Sequence, residues 1–289
     1  MSKNPLIPRL AVIGVGLIGG SLSLALKQAG AVGEVVGCGR GKPNLEKAVE
    51  LGVIDSYQRD PAEAVKGADV VFLATPVKSL ELVMQHCLPG LKLGTIITDG
   101  GSVKGSVVEK IEPLLPEGIH FVPGHPIAGT ENSGVEAAFP TLYHEKRCIL
   151  TPTENADPQA VELIRQMWTV VGSHVVQMSS EKHDKILSAI SHLPHMVAYS
   201  LVNAVGSYDH YEENILEYSA GGFRDFTRIA SSDPTMWRDI AETNRDALLE
   251  MMEQFESSFK ELKEDIAEGN GEKLFEFFLR SKQLRDAIL

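Results

Sequence analysis

A histidine set between glycine and proline is the side chain of this sequence best placed to do chemistry. His125 stands in the run Gly124-His125-Pro126-Ile127-Ala128-Gly129, directly after the short apolar segment 119–122. Glycine and proline disfavour a helix here, so we expect a tight turn at the end of a strand. Ligands of open α/β sheets bind at the carboxyl ends of the strands. We therefore predict that His125 faces a ligand as an acid–base group.

Two more polar positions close predicted strands in the same half of the chain. Thr75-Pro76 ends one apolar run, and Ser102 follows another within the segment Gly100-Gly101-Ser102. Because parallel strands share one carboxyl edge, we expect Thr75, Ser102 and His125 to lie on the same side of the sheet. For Ser102 a structural role is also open, since serine is favoured as the N-terminal cap of a helix.

The second half of the chain adds groups that could bind an anionic substrate. Arg228 follows the pair Gly221-Gly222 and stands three residues after Asp225. A guanidinium beside flexible glycines suits a bidentate clamp on a carboxylate, with Asp225 holding its rotamer. The glycine pair is expected to break a helix. An ordinary ion pair between Asp225 and Arg228 on a solvated face is the alternative interpretation.

Three histidines fall in or near one predicted helical segment, 180–205, which has Pro194 inside it. They are His183, His192 and His195, and the last two share a helix face. A zinc site is disfavoured because no cysteine or carboxylate stands at the usual ligand spacing. Two interpretations are left: histidines buried against backbone groups, or one histidine that donates to a carbonyl or anionic group of a substrate.

A glycine-rich motif near the N-terminus could hold a cofactor against these groups. The run Gly14-Val15-Gly16-Leu17-Ile18-Gly19 follows the apolar segment 10–13 and precedes a predicted helix over 21–29. This is the strand–turn–helix context in which such a motif binds a dinucleotide. A glycine-rich turn without a ligand is the alternative interpretation.

Each glycine of the motif has a predicted role in that context. Gly14 permits the tight turn, Gly16 lets the backbone approach a pyrophosphate, and Gly19 lets helix and strand pack closely. The backbone N–H groups at the helix start are expected to face the phosphates, and Leu17 and Ile18 of the turn are also expected to contact the cofactor. These residues, with Thr75, Pro76 and Ser102, are the predicted cofactor contacts.

The residues after the second predicted strand, 34–39, bear on the choice of cofactor. A carboxylate here binds both ribose hydroxyls of NAD, but this sequence has Arg40 and Lys42 instead. Two cations suit a 2′-phosphate, so the sequence favours NADP or the use of both cofactors. Alternatively, Arg40 stacks on the adenine or points to solvent.

Alternating strands and helices fill the first part of the chain, and no strand signal follows residue 179. We therefore predict an α/β fold class, with a Rossmann-type dinucleotide-binding domain over 1–179 followed by an all-helical dimerisation domain over 180–289. Later helices are predicted from about Pro234 and Glu272. The segment 180–205 is apolar nearly all round, so we expect it to be buried and the helical domain to form a homodimer.

The composition narrows the classes of function. The chain has 289 residues, 43% hydrophobic and 23% charged, which is typical of a globular protein. A net charge of −12 argues against nucleic acid and anionic membranes as partners. Three cysteines, an odd number far apart, predict no disulfide framework and a reducing cytoplasm. A small-molecule substrate fits these limits, and no apolar stretch approaches membrane-spanning length.

Together these motifs resemble the prephenate dehydrogenase family, which includes the arogenate or cyclohexadienyl dehydrogenases of tyrosine biosynthesis. The similarity runs from about Leu10 to the C-terminal helices. The glycine motif is shared with many dehydrogenases, whereas the others in combination are highly specific. The motifs are Gly14-Val15-Gly16-Leu17-Ile18-Gly19-Gly20-Ser21, Ala74-Thr75-Pro76-Val77, Asp99-Gly100-Gly101-Ser102-Val103-Lys104, Gly124-His125-Pro126-Ile127-Ala128-Gly129-Thr130-Glu131, Ser191-His192-Leu193-Pro194-His195 and Phe223-Arg224-Asp225-Phe226-Thr227-Arg228-Ile229-Ala230.

The resemblance implies an activity and several residue roles. The reaction would be NAD(P)-dependent oxidative decarboxylation of prephenate to 4-hydroxyphenylpyruvate, or of arogenate to tyrosine. His125 would be the catalytic histidine bonded to the ring hydroxyl, and Ser102 would orient both. Arg228 would bind a substrate carboxylate, and His195 would contact the substrate.

The resemblance also implies contacts around the pocket mouth and the overall assembly. Glu131 would lie near that mouth, with Thr130 and Asp225 as further candidate substrate contacts. A dinucleotide-binding domain joined to a helical dimerisation domain is expected, with no metal. The chain departs from the NAD-type pattern at Gly39-Arg40, which leaves NAD and NADP open.

Two other functions fit parts of the sequence. A β-hydroxyacid dehydrogenase has a similar layout but uses a lysine on the long helix, where this chain offers Lys185 and two histidines. A regulatory protein that senses a dinucleotide would bind cofactor without turnover. The acidic surface and the set His125, Ser102 and Arg228 argue against that second reading.

Overall fold

Six strands form the main sheet of the N-terminal half. The computed structural model describes residues 4–130, 132–208 and 215–288. The strands are β1 (Ile7–Ile13), β2 (Val32–Cys38), β3 (Ser56–Gln58), β4 (Val70–Leu73), β5 (Ile96–Asp99) and β6 (His120–Val122). Their order is β3-β2-β1-β4-β5-β6, and every neighbouring pair is parallel. This is the strand order of a dinucleotide-binding fold, and it reverses direction between β1 and β4, where ligands bind.

Helices cover both faces of this sheet because each crossover between parallel strands returns over a face. They are α1 (Leu17–Gln28), α2 (Lys42–Glu50), α3 (Pro61–Val65), α4 (Leu80–Cys87), α5 (Gly105–Ile111) and α6 (Pro158–Val170). One core lies under α1, α2 and α6, and a second lies under α3, α4 and α5. The first helix starts at Leu17 rather than at the predicted Ser21, so Gly19 and Gly20 lie within its first turn.

A second, small sheet was not predicted from the sequence. Its strands are β7 (Gly124–Pro126), β8 (Arg147–Leu150) and β9 (His174–Gln177). β7 pairs with β8 in antiparallel register, with His125 opposite Ile149, and β8 pairs with β9 in parallel. The expected tight turn at His125 is therefore wrong: the residue lies on a short strand. A pairing between segments more than twenty residues apart leaves no local signal in the sequence.

The rest of the described chain is helical, as predicted. Its helices are α7 (Ser180–Leu187), α8 (Leu193–Gly206), α9 (Gly221–Thr227), α10 (Pro234–Thr243), α11 (Arg245–Glu268) and α12 (Gly271–Asp286). The glycine pair Gly221-Gly222 begins α9 instead of breaking a helix. The sequence predicted helices from about Pro234 and Glu272 but missed that Asn244 separates α10 from a long α11.

The predicted long helix over 180–205 is interrupted before Pro194. A π-helical turn, Ser188–His192, separates α7 from α8, and Pro194 lies in the first turn of α8. Proline has no N–H to donate to the preceding turn, and a wider turn accommodates that loss. The prediction that this segment is buried nearly all round is wrong for the single chain. Within α8, which the structure describes in full, only Ala198 is buried.

A small apolar cluster joins the two halves of the molecule. Val103, from the loop after β5, packs with Trp237 and Ile240 of α10, and Val77 and Met196 lie against them. The carboxyl edge of the main sheet therefore faces the helices. None of the helices in the described residues combines the length and apolar character needed to cross a membrane.

Candidate active site

The glycine-rich turn has the geometry that its motif predicts. Gly14 has a φ of 104°, and a Cβ there would lie 2.5 Å from the carbonyl oxygen of Ala74. A Cβ at Gly19 would lie 2.3 Å from the carbonyl oxygen of Gly14, so this glycine allows α1 to pack on the turn. At Gly16 a Cβ would meet no atom within 4 Å. That open side leaves the backbone of the turn accessible to a phosphate.

The start of α1 offers backbone N–H groups beside this turn. Gly16 supplies no side-chain cap, and no acidic residue lies in the first turn. Among the described residues, no side chain bonds the N–H groups of Leu17 and Ile18. The hydroxyl of Tyr143 donates to the carbonyl oxygen of Ile18 over 2.6 Å and so holds the first turn of α1. The positive end of the helix is therefore available to an anion.

The two cations predicted to bind a 2′-phosphate lie just past β2. Arg40 is exposed, and it forms no ion pair within the part of the chain that the structure describes. Lys42 is also exposed, but its Nζ lies 3.3 Å from the carboxylate of Glu46. Arg40 is thus the freer of the two cations.

Thr75 lies against the glycine-rich turn at the end of β4, and Pro76 beside it is exposed. The methyl of Thr75 is 3.1 Å from the position of a Cβ at Gly14. Its Oγ1 is buried and has no hydrogen-bond partner among the described residues. Buried hydroxyls are almost always bonded, so this oxygen suits a bound group in the crevice. The turn, the helix start and Thr75 together fit a dinucleotide.

Ser102 is half-buried in the loop between β5 and α5, on the carboxyl edge of the sheet. The alternative interpretation of Ser102 as a helix cap is wrong, because α5 begins only at Gly105. Asp184 of α7 caps that helix instead. Its two carboxylate oxygens accept from the N–H groups of Lys104 and Gly105, each over 2.8 Å.

A buried ion pair ties the start of β7 to the end of β5. Lys104 and Asp99 are fully buried and paired with one another. Lys104 Nζ also donates to the carbonyl oxygen of Gly124 over 2.7 Å, and Asp99 Oδ1 accepts from the N–H of Gly124 over 3.2 Å. The residue before His125 is therefore held through both its backbone polar groups, which fixes the position of the histidine.

The ring of His125 bonds to a second histidine. Its Nδ1 lies 2.8 Å from Nε2 of His183, a fully buried residue, and Nδ1 of His183 lies 2.7 Å from Oδ1 of Asp184. The resemblance assigned the orientation of His125 to Ser102. In the described residues no hydrogen bond joins Ser102 to His125, and His183 makes the orienting contact.

Electrostatics keep this histidine uncharged. Desolvation lowers the pKa of His125 well below its usual value, and the positive charge of Lys104 and the rings of His183 and His192 lower it further. Burial also lowers the pKa of His183, against the opposing effect of Asp184. A neutral imidazole has one nitrogen lone pair with which to accept a hydrogen bond.

His192 and His195 have separate environments although they are three residues apart. Nδ1 of His192 accepts from the side-chain amide of Asn244 over 3.1 Å, and burial lowers the pKa of His192 to about 4. Nδ1 of His195 donates to the carbonyl oxygen of Ser191 over 2.9 Å, and its ring stacks on Trp237 with ring centres 3.7 Å apart. Nδ1 of each of these two histidines is thus occupied by a protein partner.

Arg228 follows α9 and begins a short 3₁₀ helix, Arg228–Ser231. Arg228 and Asp225 are both exposed. The alternative interpretation, an Asp225–Arg228 ion pair, is not found among the described residues. Arg228 lies close enough to His195 that its positive charge helps burial to lower the pKa of that histidine. The two predicted substrate-binding side chains are thus neighbours.

Two residues predicted to lie around the mouth of the substrate pocket, Thr130 and Glu131, follow β7 in the sequence. Thr130 is exposed, and its Oγ1 accepts from the N–H of Asn132 over 3.2 Å. Glu131 lies outside the described residues, so its role stays a prediction.

The histidines of the helical half that were weighed for zinc bond to protein groups. No group of three or more histidine, cysteine, aspartate or glutamate side chains in the described ranges is placed to hold a metal ion. His192 bonds to Asn244, and His195 bonds to backbone.

Sequence reasoning missed several residues that build this site. The three histidines were weighed for zinc, for burial against the backbone or for a substrate contact, without a role for His183 beside His125, and Lys104 was noted only as part of a motif. Asn44 was expected to cap the next helix, but that helix, α2, already begins at Lys42. Asn44 donates to the carbonyl oxygen of Val15 over 2.7 Å and so braces the glycine-rich turn. A histidine directly followed by an aspartate at the start of α7 was the available signal, and only the fold could bring that pair to His125.

Two family models match nearly the whole chain. The model for "Prephenate dehydrogenase, nucleotide-binding domain" matches residues 22–177, and the model for "Prephenate dehydrogenase, dimerization domain" matches residues 179–280. The chain belongs to the prephenate dehydrogenase family. The fold class and the resemblance inferred from the motifs are thereby confirmed.

Two relatives that match nearly the whole of this chain support the same family. Cyclohexadienyl dehydrogenase of Zymomonas mobilis is 39% identical over 96% of this chain and 95% of its own length. Prephenate dehydrogenase of Bacillus subtilis is 37% identical over 99% of this chain and 77% of its own length. These names place this member of the family among the oxidoreductases.

A solved structure superimposes closely on the whole chain. Prephenate dehydrogenase from A. aeolicus, in complex with hydroxyphenyl propionate and NAD+, is 38% identical. It aligns with a TM-score of 0.92 over 98% of both chains. The small second sheet and the helical half therefore belong to the fold shared with that family member.

Proposed function

We propose that this protein catalyses the NAD(P)-dependent oxidative decarboxylation of prephenate to 4-hydroxyphenylpyruvate, a step of tyrosine biosynthesis. The observation that carries the proposal is the position of His125, a histidine whose pKa burial lowers, at the carboxyl edge of a dinucleotide-binding sheet and facing the half of the molecule that bears His195 and Arg228. Family membership supplies the reaction class. The arrangement supplies the groups that the chemistry needs.

The chemistry of prephenate sets those needs. One ring carbon bears a hydroxyl and a hydrogen, and the opposite ring carbon bears a carboxylate. A bound nicotinamide supplies the acceptor for the hydride that leaves the first carbon. The bond to the carboxylate breaks as CO2 departs, and its electrons complete an aromatic ring. The hydroxyl keeps its proton overall, and the protein must share that proton while positive charge develops.

His125 is the proposed acceptor for that proton. Its low pKa keeps the ring neutral at physiological pH, and Ser102 on the same edge is proposed to bond the hydroxyl. Gly14, Gly16 and Gly19 are proposed to bring the cofactor phosphates onto the turn. The backbone of Leu17 and Ile18, with Thr75 and Pro76, would complete the cofactor contacts.

Carboxylate recognition is assigned to the helical half. We propose that Arg228, exposed and free of an ion pair within the described residues, binds a substrate carboxylate bidentately. His195 is its neighbour and would contact the substrate side chain. Asp225, Thr130 and Glu131 are proposed to line the mouth.

One assay tests the function. Purified protein is mixed with prephenate and either NAD or NADP, and the absorbance of the reduced cofactor is followed. We expect reduction with release of CO2 and formation of 4-hydroxyphenylpyruvate. No reduction with either cofactor, from protein that binds NAD(P), would instead support the dinucleotide-sensing alternative.

For the cofactor, we propose a preference for NADP. Arg40 is exposed just past β2 and has no ion-pair partner among the described residues, which suits a 2′-phosphate, and Lys42 stands next to it. The preference predicts a larger kcat/KM with NADP than with NAD. The reverse ratio would assign Arg40 to the adenine or to solvent.

Arogenate is the second candidate substrate, and one observation favours it. Because Nδ1 of His195 donates to the carbonyl oxygen of Ser191, a neutral His195 has only a lone pair at Nε2. A lone pair suits the ammonium group of arogenate better than the keto group of prephenate. A higher kcat/KM with arogenate than with prephenate, measured in parallel, would select this alternative.

The assembly is also part of the proposal. We propose a homodimer formed through the helical half, with the domain boundary after residue 179. The second family model is that of a dimerisation domain. Three free, buried cysteines suit the cytoplasmic location that the sequence predicts.

A further inference from the structure

Three side chains connect the proposed proton acceptor to the start of α5. His125 Nδ1 lies 2.8 Å from His183 Nε2, and His183 Nδ1 lies 2.7 Å from Asp184 Oδ1. The carboxylate of Asp184 also accepts the N–H groups of Lys104 and Gly105, each over 2.8 Å. We call His125, His183 and Asp184 the histidine relay.

The carboxylate at one end fixes the direction of every bond in the relay. A carboxylate only accepts, so the hydrogen between Asp184 and His183 lies on Nδ1 of His183. Neutral His183 then has a lone pair at Nε2, which accepts the Nδ1–H of His125. This arrangement leaves the lone pair of His125 on Nε2, the nitrogen that no described residue bonds.

Two features of the relay oppose a reversal of these hydrogen bonds. Asp184 is held on both oxygens by backbone N–H groups at the start of α5, so it cannot turn away without uncapping that helix. His183 is fully buried, and a flip of its ring would break both of its hydrogen bonds. The rings of His125 and His183 meet edge to face, with centres 5.1 Å apart.

We propose that His183 and Asp184 are positioning residues that hold His125 in its Nδ1–H tautomer, with the Nε2 lone pair presented to the substrate hydroxyl. The identity of that hydroxyl rests on the proposed function, whereas the tautomer does not. Reversing the relay would put a hydrogen on Nε2 of His125. That nitrogen would then donate to the hydroxyl and could no longer take a share of its proton.

The tautomer is measurable without any assay of activity. Protein labelled with nitrogen-15 in its histidine rings is examined by NMR, which distinguishes a protonated ring nitrogen from one with a lone pair. The signals of His125 are identified by their loss in His125→Asn. We expect a protonated Nδ1 and an unprotonated Nε2 at pH 7.5. A protonated Nε2 in the wild-type protein would overturn the proposal.

Two substitutions at His183 separate positioning from packing. In His183→Gln the amide oxygen can accept from His125 and the amide NH2 can donate to Asp184, so the relay is preserved. In His183→Leu a side chain of similar bulk makes neither bond. The exposed His174→Leu serves as the matched control.

We expect His183→Leu to lose about 10²-fold in kcat with KM and cofactor binding nearly unchanged, since the wrong tautomer disables the acceptor. The same variant should show mixed tautomers of His125 by NMR, and His183→Gln should recover most of the kcat. Wild-type kcat and a single Nδ1–H tautomer in a folded His183→Leu would refute the proposal. If His183→Leu does not fold, His183→Gln decides: mixed tautomers or a kcat as low as that of His125→Asn would refute it.

Failure of the proposed function gives a different pattern. A wild-type protein that reduces no cofactor with prephenate or arogenate, yet shows the Nδ1–H tautomer of His125, would refute the substrate and leave the relay standing.

Discussion

At His125, one side chain combines a fixed position with a fixed charge. The backbone of the preceding Gly124 is bonded to Asp99 and Lys104, and the ring is bonded to His183. Desolvation and the nearby cation of Lys104 lower the pKa, so the neutral ring persists where a solvated histidine would be partly charged. Acid–base catalysis requires both properties in one group.

The first prediction removes that group. His125→Asn keeps a polar side chain of smaller size but has no imidazole to share the hydroxyl proton. We expect turnover to fall by about 10²–10⁴-fold while cofactor binding, followed by fluorescence titration, is unchanged. Turnover near that of the wild type would remove His125 from the mechanism.

The second prediction concerns pH. The reaction needs neutral His125, and its pKa lies well below 6.5, so protonation sets in only at lower pH. We expect kcat/KM to stay level as the pH falls from 8 through 6.5 and to decline only in more acidic buffer. The residual activity of His125→Asn should lack this acid decline. A decline centred near pH 6.5 in the wild type would show that the ring is solvated.

Among the elements, the turn between β1 and α1 and the contact between β5 and β7 do most to build the site. The turn brings glycine backbone to the crevice, and Asp99 and Lys104 bring β7 to the edge of the main sheet. Both regions are closely packed, so we expect substitutions there to change the stability of the protein or its affinity for the cofactor.

The third prediction compares two glycines of the turn. Gly16→Ala places its methyl group in open space, so we expect stability to change by only about 0.5 kcal/mol while cofactor affinity falls, because the methyl blocks the phosphates. Gly19→Ala places a methyl 2.3 Å from the carbonyl oxygen of Gly14 and should cost about 1–3 kcal/mol of stability. Urea unfolding and cofactor titration measure both effects. Equal destabilisation by the two variants would contradict this geometry.

The fourth prediction concerns the buried ion pair. Lys104→Met leaves the carboxylate of Asp99 buried without its cation, and we expect a loss of about 3–5 kcal/mol in the free energy of unfolding. Lys78→Met is the matched control, because Lys78 pairs with Glu242 where both side chains are about half exposed. That variant should change stability little. A small effect of Lys104→Met in urea unfolding would show that the pair is not buried in solution.

For the whole molecule, apolar side chains at the surface gather on the last two helices. Phe255, Phe259 and Ile266 follow one stripe of α11, and Phe275 and Phe278 lie close in sequence on α12. Phe259 is 59% exposed and Phe278 is 55% exposed. Exposed apolar patches of this kind are typical of interaction surfaces, and we expect a second copy of the chain to cover this one. We therefore predict that α11 and α12 contribute to the dimer surface together with the segment 180–205.

The fifth prediction tests that surface. Phe259→Glu combined with Phe278→Glu places charges on it, and we expect a shift from dimer to monomer in sedimentation equilibrium. Leu93→Glu changes a side chain of the N-terminal half that is even more exposed, at 81%, and should leave the dimer intact. A dimer unaffected by the double substitution would place the interface elsewhere.

How far the sequence predicted this site depends on the range of each interaction. The glycine-rich turn was predicted in detail, because its requirements arise within six consecutive residues. His125, Ser102 and Thr75 were placed correctly at the carboxyl edge, since parallel strands share that edge. The strand character of His125 and its bond to His183 were missed, because the partners are distant in the chain.

The sequence by itself determined the alternation of strands and helices, the cofactor-binding turn and the residue types available for chemistry, since each depends on local preference and spacing. Tertiary structure alone decided which nitrogen of His125 is available, what caps α5 and which side chains are brought against His195. Those outcomes depend on contacts between residues far apart in the chain: His125 and His183 are separated by 58 residues, and Asp184 and Lys104 by 80. Hydrogen-bond direction and desolvation exist only once such partners meet, and no local pattern encodes them.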